Sequence, residues 1–339
     1  MEELVIWGAG AIGGTIGAAL SRAGKNPLLV DVDATHVAAM QTKGLKITGP
    51  IEDYSAPVRA TTPNQIRPDA VRGPLRRVML AVKSQHTAAA ARMIAPLLAD
   101  DGVVLSLQNG LNGDAIASAV GKERVVLALV DIASDYIEPG VVHYGGRGSV
   151  YVGEPDGRIT PRVEETVALL KQFDPRIEAS DNVLGLLWGK IAYGGLLTAT
   201  ALTNDTMSDV LSDPRWHNVM GRIGREIVLA AKAAGVRPVG VDGFDAVAFA
   251  AGDAAKTAAS CDAMAEHYRH AAKTRSGIWR DLAVRKRKTE VAIMFAPVIE
   301  AGRRHGVATG TVERLDAMIA EMEGGKRDFS PENLAELGR

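Results

Sequence analysis

Apolar residues follow two different patterns along this chain. In the first third, short continuous apolar runs alternate with longer segments of helical character. Residues 4–7 (LVIW), 27–32 (PLLVDV), 77–82 (RVMLAV), 102–107 (GVVLSL) and 124–130 (RVVLALV) read as strands. A helix is predicted over 12–23, and helical or loop segments, among them the alanine-rich TAAAARMIAPLLA, separate the later strands. Strands that are apolar at successive positions bury both faces. The pattern therefore predicts a parallel sheet covered by helices on each side.

The pattern then changes. Residues 140–153 (GVVHYGGRGSVYVG) read as a β-rich ribbon with glycine turns, and past about residue 181 strands almost vanish. Helices are predicted over 183–202, 215–234, 243–270, 288–304 and 308–323. The expected architecture is an α/β domain over 1–180 followed by an all-α domain over 181–339, with a cleft between them and a seam in PRIEASDN (175–182). A chain of 339 residues suits this, because single cores stop growing at roughly 250–300 residues.

Composition narrows the classes. The formal net charge is -1, so no global field attracts nucleic acid or membrane. Cys261 is the only cysteine, which excludes an internal disulfide framework and a CxxC metal knuckle. The start, MEELVIWGAG, carries two acids and no basic n-region, unlike a signal peptide. The apolar stretch 183–203 holds four glycines, several threonines and Lys190 and lacks stop-transfer flanks, so a core helix is preferred to a membrane span. A cytoplasmic protein is expected.

The first motif with chemistry is VIWGAGAIGG, which sets Gly8, Gly10 and Gly13 in GxGxxG spacing after a strand and at the start of a helix. Those glycines allow a tight turn, close approach of backbone to a pyrophosphate, and close packing of helix on strand. Gly8, Ala9, Gly10, Ala11, Ile12 and Gly13 are the expected dinucleotide contacts, with the helix N-terminus facing the phosphates. Asp31 ends the second strand, eighteen residues after Gly13, where a carboxylate accepts hydrogen bonds from ribose hydroxyls and repels a 2′-phosphate. Asp33 adds a second acid and no arginine stands nearby, so NAD is favoured over NADP.

Lys190 raises a separate question, being the one charged residue in LLWGKIAYGGLLTATALTN. Two readings fit: a lysine snorkelling to water, or a functional ammonium facing a cleft, with Gly194 and Thr198 on the same helical face. The run RKRK (285–288) reads as a solvated face rather than a nucleic-acid patch. His267 and His270 lack an evident third metal ligand, and His86 and His143 are isolated. No metal is expected.

Five motifs in order carry a family resemblance: GAGAIG, AVKSQHT (81–87), SLQNGLNG (106–113), WGKIAYGGLLT (188–198) and SGIWRDLAVRKRKTEV (276–291). The chain resembles the ketopantoate reductases, also called 2-dehydropantoate 2-reductases, over nearly its full length. The resemblance implies a Rossmann domain, a helical domain of the 6-phosphogluconate dehydrogenase C-terminal type, and reduction of a 2-oxo acid by a nicotinamide cofactor. It implies that Lys83 and Asn109 lie near nicotinamide and substrate, and that Lys190 gives the carbonyl oxygen its proton. Glu290 then holds substrate and lysine, and Ser276 grips the substrate carboxylate.

The departures from the family pattern bear on substrate and cofactor. Gly194 and Thr198 stand where such enzymes usually carry asparagines, which leaves room for a larger substrate. Gly277 replaces a serine, one extra residue separates Asp281 from Glu290, and Asp31 occupies a position where NADP-type members carry arginine. The expected function is NAD-dependent interconversion of a small 2-oxo or 3-oxo acid, or a related carbonyl compound, with its hydroxy form. The alternatives are a true 2-dehydropantoate 2-reductase, a non-catalytic dinucleotide sensor, and an opine-type or hydroxyacid dehydrogenase, whose usual histidine base is missing from 183–203. The helices after 215 either cover a homodimer interface or complete the domain core.

Overall fold

Strand β1 (Leu4–Trp7) is apolar at every position because it has parallel neighbours on both sides and helices or sheet above and below. The computed structural model describes residues 3–66, 73–269, 271 and 273–339, in two units that meet at Val183 and Leu184. In the first unit β1 leads into α1 (Ala11–Arg22), β2 (Leu28–Val30), α2 (Ala34–Lys43), β3 (Leu45–Thr48), β4 (Tyr54–Ala56) and β5 (Arg59–Thr61). There follow β6 (Leu75–Leu80), α3 (Thr87–Ile94), β7 (Leu98–Ser106), α4 (Gly113–Val120) and β8 (Val125–Val130). The unit closes with β9 (Ala133–Glu138), β10 (Val141–Gly146), β11 (Val150–Gly153), α5 (Pro161–Leu170) and β12 (Glu178–Ala179).

The larger sheet has eight strands in the order β12-β11-β8-β7-β6-β1-β2-β5. All its neighbours run parallel except β11 against β8. From β1 the chain builds first toward β2 and β5, then returns to add β6, β7 and β8 on the other side. The reversal opens a crevice at the carboxyl ends of β1 and β6, where such sheets bind ligands.

A second sheet of four strands, β4-β3-β10-β9, lies against α1. Helix α1 is thus packed between two sheets, which accounts for its nearly unbroken burial from Gly13 to Leu20. Ile16 and Leu20 join Ile6, Met79, Leu105 and Val126 in one core cluster, while Ala18 joins Leu29, Leu45, Ile47 and Val142 in the other. A Cβ on Gly14 would lie 3.2 Å from Val142, and one on Gly17 would lie 3.2 Å from Leu29. The ribbon expected over 140–153 is therefore corrected. Its two strands belong to different sheets, and the chain crosses between them at Gly148, where a Cβ would sit 1.5 Å from the Asp131 carbonyl oxygen.

Every secondary-structure element described in the second unit is a helix. Its helices are α6 (Val183–Thr200), α7 (Met207–Ser212), α8 (His217–Ala233), α9 (Ala246–Ala251), α10 (Ala254–Arg269), α11 (Gly277–Ala283), α12 (Val291–His305), α13 (Gly310–Glu323) and α14 (Pro331–Leu337). Helix α8 packs against α9, α10, α12 and α13, so the long helices complete this unit's core. The single helix expected over 243–270 is two. Gly252 ends α9 in the left-handed conformation (φ +69°), and Asp253 accepts the Lys256 amide to start α10. Helix α6 is long and apolar enough to cross a membrane, yet 72% of it is buried within the protein.

Glu154 shows what a buried charge requires. Its carboxylate is 2% exposed and accepts Nε and Nη2 of Arg162, both at 2.7 Å, and the Thr160 hydroxyl at 2.6 Å. Burial alone would raise its pKa, but these donors together hold it below the usual glutamate range. A lowered folded-state pKa adds stability above the unfolded pKa and loses it as pH falls through the folded value. Glu154→Gln is expected to cost about 2 kcal/mol in urea unfolding at neutral pH, with the gap to wild type closing below pH 4.5.

Candidate active site

The glycine loop connects the carboxyl end of β1 to α1, and each glycine meets a different constraint. Gly8 has φ +103°, and a Cβ there would lie 2.6 Å from the Val82 amide nitrogen, so the loop touches the backbone leaving β6. At Gly13 a Cβ would fall 1.9 Å from the Gly8 carbonyl oxygen, against the loop's own backbone. Gly10 differs: it caps α1 with extended backbone, has no side-chain cap, and has nothing within 4 Å of where a Cβ would be. That open space beside an uncapped helix N-terminus is the cradle a pyrophosphate needs.

The residues between the glycines are held firmly. The buried Ala9 donates its amide to Asp31 Oδ2 at 2.9 Å, and its carbonyl lies 2.9 Å from His36 Nε2. Ala11 carbonyl accepts the hydroxyls of Thr15 (2.8 Å) and Ser134 (3.1 Å), and Ile12 packs on the core. Asp31 Oδ1 also accepts the Asp33 amide at 3.0 Å. Asp33 caps α2, and the His36 amide, with those of Thr35 and the Tyr136 hydroxyl, holds its carboxyl below the usual range despite some burial. Two carboxylates thus stand at the end of β2.

Lys83 and Asn109 occupy the loops after β6 and β7, and both are exposed. The loops are tied together: Ser84 Oγ and Asn112 Nδ2 donate to the Asn109 carbonyl at 3.0 and 2.7 Å. Gln108 Nε2 donates to the Val82 carbonyl at 2.8 Å and to Thr87 Oγ1 at 2.7 Å. Gln108 and Asn112, both buried, are the positioning residues that reading the sequence missed. The available signal was polar side chains at the end of an apolar strand, in SLQNGLNG.

In the helical unit, the residues of α6 that are not buried are Leu184, Leu186, Lys190, Gly194 and Leu197. Four of them, 186, 190, 194 and 197, form one stripe at helical spacing. The expected face through Thr198 is corrected. Thr198 is fully buried and its hydroxyl donates to the Gly194 carbonyl at 2.8 Å, so Leu197 takes its place on the open stripe. A Cβ on Gly194 would lie 3.6 Å from Met294 Sδ of α12. One turn before Met294 stands Glu290, the N-cap of α12, whose carbonyl accepts the Met294 amide at 3.0 Å. The Lys190 stripe and the Glu290 end of α12 therefore approach each other through this contact.

Ser276 caps α11, accepting the Trp279 amide at 3.2 Å, and a hydroxyl so engaged keeps its proton for another acceptor. In the basic run, Arg285 and Arg287 pair with Asp281 at 2.8 and 3.0 Å, and all four residues 285–288 are exposed. His267 is exposed, edge-on to Tyr268, and His270 lies outside the described residues. His86 is exposed, and His143 Nδ1 lies 3.4 Å from Thr48 Oγ1.

The cradle at the switch point of a parallel sheet fits a dinucleotide, and the relatives of this chain make it an NAD(P)-dependent oxidoreductase acting on CH–OH groups. The chain belongs to the ketopantoate reductase PanE/ApbA family: the family's N-terminal model matches residues 4–157 and its C-terminal model residues 182–323. A 2-dehydropantoate 2-reductase of Mesorhizobium japonicum is 28% identical over 94% of this chain and 97% of its own. Among solved structures, a PanE/ApbA family ketopantoate reductase from Ralstonia eutropha is 27% identical, covering 96% of this chain and 99% of its own, with TM-score 0.77. D-mandelate dehydrogenase, solved with NADH and anilino(oxo)acetate, shares the fold at 20% identity and TM-score 0.80, over 96% of this chain and 99% of its own.

Gly8 and Gly10 are expected to fail differently. Gly10→Ala keeps stability within about 1 kcal/mol in denaturant unfolding but raises the NADH Kd about tenfold or more, because its methyl fills the cradle. Gly8→Ala forces a side chain into backbone at positive φ and is expected to cost about 2 kcal/mol or more of stability.

Proposed function

We propose that this protein is an NAD-preferring oxidoreductase that interconverts a small 2-oxo (or 3-oxo) acid and its hydroxy acid, with Lys190 as general acid and base. The observation that carries this reading is the open stripe of α6, on which Lys190 is the one ionisable residue among leucines and a glycine. When bound, the nicotinamide gives or takes the hydride.

Charge develops on the carbonyl oxygen during reduction, and the Lys190 ammonium stabilises it and then donates a proton to that oxygen. In the reverse direction the neutral amine takes the hydroxyl proton. Glu290, one turn from the Met294 contact with Gly194, orients the ammonium. Ser276 keeps a hydroxyl proton for the substrate carboxylate. Lys83 and Asn109, on the two tied loops, serve the nicotinamide side.

The preference for NAD rests on Asp31 and Asp33, two carboxylates at the end of β2 that repel a 2′-phosphate. It favours oxidation of the hydroxy acid, since cellular NAD is held mainly in its oxidised form. The substrate preference rests on Leu186, Gly194 and Leu197, which make the stripe apolar and leave space beside Met294. The fold accommodates such a pairing elsewhere: the D-mandelate dehydrogenase was solved with NADH and anilino(oxo)acetate, which carries an aromatic ring. A 2-oxo acid with a wholly apolar aliphatic or aromatic substituent is accordingly preferred to ketopantoate, whose branched substituent ends in a hydroxyl. The second reading, a 2-dehydropantoate 2-reductase, is favoured by the Mesorhizobium relative's name and its near-complete coverage of the chain.

Nicotinamide absorbance in a substrate panel decides between them. Faster turnover with NADH of 2-oxo acids whose substituent is apolar and lacks a hydroxyl supports the first reading, and faster turnover of ketopantoate supports the second. Lys190→Met is expected to lower kcat about a hundredfold or more with the NADH Kd within about twofold. An unchanged kcat would remove Lys190 from the proton transfer. Asp31→Asn is expected to narrow the NADH-over-NADPH ratio of kcat/KM about tenfold, and an unchanged ratio would remove the cofactor argument.

A further inference from the structure

His36 is 1% exposed in the first turn of α2, and both of its ring nitrogens are engaged. The Gly140 amide donates to Nδ1 at 2.9 Å, which requires Nδ1 to carry no proton. Nε2 therefore carries it and donates to the Ala9 carbonyl at 2.9 Å. The neutral ring is fixed in one tautomer and joins two places far apart in sequence. One is the glycine loop and the other is the turn between β9 and β10 of the smaller sheet.

Ala9 lies between Gly8 and Gly10, the two loop residues with the greatest backbone freedom. Its amide is held by Asp31 and its carbonyl by His36, so the peptide groups on both sides of the residue are clamped. The same side of the loop receives Ser134 of β9 on the Ala11 carbonyl, and Tyr136 of β9 packs edge-on to His36 at 5.1 Å. Without such a clamp, the loop's ordering entropy would be lost on binding the dinucleotide instead of during folding.

We infer that His36 is a positioning residue for dinucleotide binding: its Nε2–H, aligned by Gly140, presets the Gly8–Gly10 backbone to receive the pyrophosphate, which makes the smaller sheet part of the cofactor site. The inference rests on the assignment of the glycine loop to the dinucleotide and is independent of the NAD preference.

Three substitutions separate the donor from the bulk of the ring. His36→Gln keeps an N–H near the Nε2 position, His36→Asn keeps an acceptor near Nδ1 but loses the donor to Ala9, and His36→Leu keeps neither. NADH and NADPH Kd values are read by fluorescence titration, and KM and kcat on the best substrate of the panel. One charge-neutral hydrogen bond corresponds to about a tenfold change. Asn and Leu are expected to raise both dinucleotides' Kd and KM about tenfold with kcat at saturating cofactor nearly kept, and Gln to restore Kd to within about threefold. Folded Asn and Leu variants with wild-type Kd would overturn the inference, as would a Gln variant as weak as Leu. If Leu does not fold, the Asn and Gln pair decides. Failure of the wild-type protein to bind NADH or NADPH would count instead against the dinucleotide assignment.

Discussion

The close approach of α1 to two sheets at once is the constraint on which the dinucleotide half of this protein depends. A helix normally covers one face of a sheet. Here Gly13 lets the helix start against the Gly8 carbonyl, Gly14 lets it meet β3 and β10, and Gly17 lets Leu29 pack on its backbone. Only that packing brings an uncapped helix N-terminus to the crevice between β1 and β6. The cost of these glycines as helix residues, roughly 0.5–1 kcal/mol each, is offset by burial on both sides.

Polar side chains then fix what the glycines leave free. Asp31 and His36 hold Ala9, Thr15 and Ser134 hold Ala11, and Gln108 and Asn112 lock the loops that carry Lys83 and Asn109. Nearly all these bonds end on a main-chain atom. Of the side chains that hold this backbone, Thr15, His36, Gln108 and Asn112 are buried.

Lys190 is accommodated for a related reason. Most of α6 is apolar because it is packed, with Gly189 against the Val239 carbonyl and Gly195 against Ile223 and Ile227. One stripe is left open, and the lysine lies on it. Its ammonium need not be desolvated fully.

The sequence by itself determined the strands of the parallel sheet, the glycine loop, the acid at the end of β2 and the helical character past residue 181, because each is set by local periodicity or spacing. The stop at Gly252 and restart at Asp253 were equally local, though a long apolar pattern concealed them. Only the tertiary structure decided that β10 and β11 belong to different sheets, since alternation shows a strand but not its partner. The exact face of α6 was likewise out of reach. A helix takes 3.6 residues per turn, so 190, 194 and then either 197 or 198 fit one stripe, and in the fold Leu197 stays partly open while Thr198 is buried. His36 was silent in the sequence for the same reason: both its partners, Ala9 and Gly140, come from other elements.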